Sequence, residues 1–145
     1  MKKITQIAFV FILILALASC KNTKQKIQEH VSNYNTTASI KGGNVVSTSA
    51  KAFLNDSKIE IRIETDLEGT EENKLAYQET FPSLLAEMIK NDQISRELIE
   101  EGVKFDVYFI SYNNVILAKQ LVDKEELAAL EGSESAGNGK ETAKL

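Results

Sequence analysis

The groups that could attack, shuttle a proton or hold a metal are sparse in this chain. Cys20 is the only cysteine and His30 the only histidine in 145 residues. A nucleophilic triad needs a base beside its nucleophile, and no Gly-x-Ser-x-Gly elbow, His-Glu-x-x-His, Ser-x-x-Lys or dinucleotide fingerprint occurs. His30 has Lys26 and Val31 for company rather than a second ligand type, so it reads as a helix-surface histidine. The densest acidic run is Asp66, Glu68, Glu71 and Glu72 around Gly69. An EF-hand loop needs its glycine at position 6, and Gly69 comes at position 4. A strand-to-helix turn explains the same residues, with Thr70 as N-cap and Glu71 and Glu72 where the helix dipole favours acids. A carboxylate pair could still hydrolyse a glycan, but among 21 acids some pair is always available. The expectation is no catalytic residue, no cofactor and no metal.

Cys20 gains its meaning from what precedes it. Lys2 and Lys3 come first, then an apolar run over residues 7–17, then Leu17-Ala18-Ser19-Cys20. A basic start and a short apolar core make a secretory signal peptide, since a spanning helix needs about 20 apolar residues. The last four residues resemble the lipobox of bacterial lipoprotein precursors: a branched apolar residue, two small ones, then cysteine. That resemblance implies diacylglycerol on the Cys20 thiol, cleavage before Cys20 and fatty acylation, such as palmitate, of the new amino group. Lipid on Cys20 would then hold the protein to a membrane of the bacterial cell envelope, facing the periplasm. Two or more acyl chains give stable anchoring where one gives only marginal binding. Lys21 and Asn22 lack the Asp that resembles an inner-membrane retention signal, which favours the outer membrane.

Charge narrows the partners. The chain carries 17 Lys+Arg against 21 Asp+Glu, a formal net charge of −4, and loses Lys2 and Lys3 with the leader. An acidic domain without a basic stripe is not a nucleic-acid binder. Nor would charge draw it to an anionic membrane surface, so the attachment must be covalent. With one cysteine there is no internal disulfide and no cysteine-based metal site.

The remaining pattern predicts one domain. Residues 1–19 are the leader, 20–26 the lipidated cysteine and tether, 27–132 a single α+β domain, and 133–145 a disordered tail poor in anything to bury. A helix over residues 24–34 carries Ile27, Val31 and Tyr34 on one face, followed by a loop over residues 33–43. Residues 44–54 form a moderate strand, residues 55–57 a turn, and residues 58–65 a strictly alternating strand with Ile59, Ile61 and Ile63 on one side. Residues 71–101 are helical in pieces, ended or kinked at Pro82, with Leu84, Leu85, Met88 and Ile89 as an apolar stripe. Asp92 would cap a short helix carrying Leu98 and closed by Gly102. Residues 103–112 and 115–122 form a second hairpin about Asn113 and Asn114, the latter strand apolar enough to suggest a central position. Asp123 caps a last helix with Leu127 and Leu130 inward and Gly132 as its stop.

The fold class is therefore α+β, a mostly antiparallel four-stranded sheet (two hairpins) with helices packed on one face. Tyr108, Ile110 and Tyr112 alternate away from Phe105 and Phe109 and are the candidate partner-binding residues, since exposed aromatics mark interfaces. The functional expectation is a non-enzymatic, lipid-anchored envelope protein that binds a protein partner, as an accessory, inhibitor or immunity-type factor. A small-ligand carrier or sensor, with a pocket between sheet and helices, and a carboxylate-dependent envelope hydrolase are the alternatives.

Overall fold

The computed structural model describes residues 22–40 and 44–141. The leader and Cys20 lie outside them. Helix α1 spans Thr23–Thr37, capped by Asn22, whose side chain accepts from Lys24 N at 3.2 Å. It begins inside the expected tether and ends a turn later than residue 34. Asn33, Thr36 and Thr37, which favour turns, stay helical because both threonine hydroxyls donate back to carbonyls of the preceding turn, Thr37 Oγ1 to Asn33 O at 2.6 Å. Ile27 and Tyr34 are buried beneath it. Lys26 ties its start to the domain by bonding Glu101 and, at 2.8 Å, Glu97, while Thr23 Oγ1 donates to Glu101 at 3.0 Å.

Strands β1 (Val45–Phe53) and β2 (Lys58–Thr65) form the first hairpin through a tight turn at Leu54–Asp56, with Ser57 left-handed at φ 47°. Strands β3 (Lys104–Ile110) and β4 (Ile116–Val122) form the second. The sheet order is β1-β2-β3-β4, and the hairpins meet through parallel pairing of β2 with β3, Ile61 opposite Val107. Parallel neighbours need a long crossover. It is supplied by α2 (Glu71–Lys90) and α3 (Arg96–Glu100). β4 is consequently an edge strand, not the central one its apolar content suggested. Leu117, Ala118 and Val122 are buried, and Ile116 and Leu121 stay partly open at 48% and 38% exposure.

Helix α2 is continuous through Pro82, where the sequence pointed to a break. Proline costs an interior helix about 3 kcal/mol through its lost N–H and ring clash. Here Pro82 faces solvent, while Phe81, Leu85, Met88 and Ile89 are buried on the stripe that runs past it. Tyr77 stacks on Phe109 at 5.0 Å and Phe81 meets the same ring at 6.3 Å. Anchors on both sides of Pro82 outweigh the missing bond. Asp92 does not cap α3. It is left-handed at φ 60°, and Ser95 caps α3 by accepting from Leu98 N at 3.3 Å. Gly102 does close α3, at φ 96°, with Gly102 N on Ile99 O and Val103 N on Leu98 O, both at 2.9 Å. Helix α4 (Lys124–Glu141) is capped by Asp123, as its residue pattern implied, but runs past Gly132 through residues expected to be disordered.

One face of the sheet makes the core. Ile59, Ile61, Ile63, Phe105, Val107 and Phe109 are all buried there against Ile27, Leu85, Met88, Leu98 and Leu127 from the helices. Each such burial contributes about 1.5–3 kcal/mol. The opposite face carries Glu60, Arg62, Glu64, Asp106, Tyr108 and Lys119, by the two-residue alternation of the strands.

Candidate docking groove

The second half of α1, the last turns of α2 and the turn at residues 91–95 wall a groove of about 780 Å³. Its floor comes from residues that also serve the core. Tyr34 is buried and its hydroxyl meets Thr48 Oγ1 at 2.6 Å, and Met88 is buried beside half-buried Leu84. A belt of side-chain bonds fixes one wall. His30 Nε2 donates to Gln93 O at 3.0 Å, and Gln93 Nε2 donates to Ser39 O at 3.3 Å. The turn itself is held by Gln93 N and Ile94 N, both donating to Met88 O. A second depression of about 340 Å³ adjoins it, sharing Ile40, Leu84 and Glu87 and reaching Tyr77, Phe81 and Phe109. The two together follow α2 from Tyr77 to Asn91.

The rim is acidic. Glu87, Asp92 and Glu97 line the larger groove, and among the described residues no Lys or Arg does. Glu97 is engaged by Lys26 at 2.8 Å, whereas neither Glu87 nor Asp92 has an ion pair with Lys or Arg among the described residues. His30 is half-buried, with the Phe105 ring edge-on at 5.5 Å. Burial lowers its pKa, against the Gln93 carbonyl and Asp92, which favour the charged form. Its Nε2–H is committed to the Gln93 carbonyl, so the ring braces this wall of the groove. It is also less superficial than the surface position expected of it. No group of three His, Cys, Asp or Glu among the described residues could hold a metal. The arrangement can receive a polar, positively charged segment.

The candidate partner-binding residues do not gather into one patch. Tyr108 is half-buried, its hydroxyl donating to Asp106 Oδ2 at 3.0 Å beneath the Lys119 ammonium, 4.6 Å from its ring. Ile110 is 2% exposed, and Tyr112 is 66% exposed at the β3–β4 turn. Cys20 lies outside the described residues. The groove went unseen in the sequence because it depends on the turn at residues 91–95 folding back on α1. Its one legible trace is the stripe on α2, where Tyr77 and Leu84 widen the apolar face beyond Phe81, Leu85 and Met88.

No protein-family model matches this sequence, and no curated protein matches it. Solved structures do share its fold. A Pseudomonas aeruginosa protein described as secreted superposes with a TM-score of 0.55 at 10% identity, covering 72% of this chain and 91% of that one. The type II secretion system pilotin AspS from Vibrio cholerae superposes with a TM-score of 0.52 at 19% identity, covering 72% of this chain and 92% of that one, so what this chain shares with both is a fold.

Proposed function

We propose that this chain is a bacterial lipoprotein, anchored through lipid on Cys20 in the cell envelope at the outer membrane, and that it is a non-enzymatic accessory factor holding a protein partner in the groove between α1 and α2. The observation that carries the binding reading is the groove's charge: a largely polar cleft beside half-buried Leu84 whose lining, among the described residues, holds Glu87, Asp92 and Glu97 and no Lys or Arg. Such a site is complementary to a polar segment bearing Lys or Arg. A secretion pilotin among the proteins of this fold agrees with an accessory role. The leader and lipobox support the anchor.

Photo-crosslinking in the native envelope tests this. A benzoylphenylalanine at Leu84 should capture one protein in stoichiometric amount, and the same group at Tyr112 or Lys51 should not. Capture from Tyr112 alone would transfer the interface to the β3–β4 turn. A small molecule in the groove, seen by native mass spectrometry with no protein, would favour a ligand carrier.

A further inference from the structure

The two ends of the sheet differ in what they hold. Because β2 and β3 are parallel and start together at Lys58 and Lys104, one end gathers the Leu54–Asp56 turn, the start of β3, the end of β4 at Val122 and, through Glu101, the start of α1. Lys104 N donates to Ser57 O at 3.0 Å there. The other end gathers the β3–β4 turn and the loop before α2, where Tyr112 N donates to Leu67 O at 3.0 Å and Gly69 N to Asn113 Oδ1 at 3.1 Å. The seven residues of β3 separate these poles by roughly 20 Å.

We infer that the pole holding the start of α1 rests against the lipid headgroups, and that the Tyr112 pole points away from the membrane. This rests on the anchor reading of Cys20 given above. Only Lys21 and Asn22 separate Cys20 from the first helical residue, Thr23, so the anchor lies within about 11 Å of α1. Unwinding α1 would lengthen that leash, but Ile27 is fully buried and Lys26 is clamped by Glu97 and Glu101. Hydrogen bonds donated to Glu101 and then Glu97 hold the Lys26 ammonium above its usual pKa, and Lys26 and Thr23 hold Glu101 below its own, so the clamp stays charged across the physiological range. Exposed groups at this pole are of both signs: Lys24, Lys104 and Lys124 beside Asp56 and Glu100. The leash, not electrostatic attraction, sets the orientation. The groove, beginning at His30, then opens about 10 Å along α1 from the membrane, where a partner segment emerging from the bilayer can reach it.

The test uses the full lipidated protein in phosphatidylcholine vesicles carrying a nitroxide on the headgroup. Lipidation consumes the one native thiol, so Glu100→Cys and Tyr112→Cys each offer a single labelling site. A fluorophore at position 100 should be quenched several-fold more than one at position 112. A flexible insert of about 20 Gly and Ser residues between Lys21 and Asn22, spanning roughly 25 Å, should abolish the contrast. Equal quenching at both positions without the insert, or stronger quenching at 112, would overturn the orientation. Intact mass separates the two readings: lipid on Cys20 with no contrast sinks the orientation alone, whereas an unmodified Cys20 sinks the anchor and the orientation with it.

Discussion

The groove and the open face of the sheet are both polar surfaces laid over the same core, yet they dispose of charge in opposite ways. On the open face opposite charges meet. Asp106 has Lys58 at 4.0 Å, Lys119 at 3.7 Å and the Tyr108 hydroxyl at 3.0 Å, while Arg62 lies 3.9 Å from Glu60 and Ser47 donates to Glu64 at 2.9 Å. Cross-strand pairs of this kind stabilise the sheet and deter edge-to-edge association. In the groove His30 and Gln93 are spent on backbone carbonyls, and neither Glu87 nor Asp92 has an ion pair with Lys or Arg among the described residues. A surface that neutralises itself has little left for a partner. One that leaves like charges side by side is incomplete alone.

The largest effect should come where groove and core coincide. Met88 is 1% exposed and belongs to both, so Met88→Ala should cost about 2–5 kcal/mol in urea denaturation. A loss confined to partner capture with unchanged stability would mean that the groove floor is separable from the core. Next is Asp106, buried on the open face with Oδ1 lacking a hydrogen-bond partner among the described residues. Asp106→Ala should cost about 1.5 kcal/mol, the scale of a hydrogen bond to a charged group, and leave partner capture intact. Smaller again is Asn35, which brackets the free edge of β1: Ala50 N donates to its Oδ1 at 2.7 Å and its Nδ2 donates to Ala50 O at 3.0 Å. Asn35→Ala should cost about 1 kcal/mol and raise concentration-dependent aggregation, which light scattering would detect, because it bares an edge.

This contrast also explains what the sequence could and could not show. Period-two alternation at Ile59, Ile61 and Ile63 and at Phe105, Val107 and Phe109 announces strands and the buried face, because one-sided burial writes itself into every second residue. Gly102, Thr70 and Asp123 likewise mark helix ends through local backbone geometry. The continuity of α2 through Pro82 and the edge position of β4 are decided by long-range contacts, Phe109 against Tyr77 and Phe81 above all, and no local pattern carries them. The groove belongs to the same class, since His30 and Gln93 meet across 63 residues.

His30 gives the comparison a pH axis. Its folded pKa lies below the ordinary 6.5, first through burial, so the unfolded chain takes up the proton before the folded one as pH falls. The contribution is fully present above about pH 6.5 and is lost as pH falls through the folded value. Between about pH 7 and 5 the denaturation midpoint of the parent protein should fall more steeply than that of His30→Gln. Parallel slopes would remove His30 from the account of the groove wall.

The smallest effect on stability should accompany the largest on recognition. Glu87 is exposed on α2 at the junction of the two depressions, so Glu87→Lys should move stability by no more than about 0.5 kcal/mol. It also reverses the charge of a rim acid that no described cation neutralises. Capture through Leu84 should then fall sharply, since a like charge opposite a desolvated cation is far more disruptive than a missing one. Raised salt should narrow the gap between parent and variant by screening both. Arg62→Glu on the open face is the matched reversal: it inserts a third acid beside Glu60 and Glu64, so it should lower stability and leave capture unchanged. If the two reversals weakened capture equally, net charge rather than the groove would govern association, and the distinction between the two surfaces would collapse.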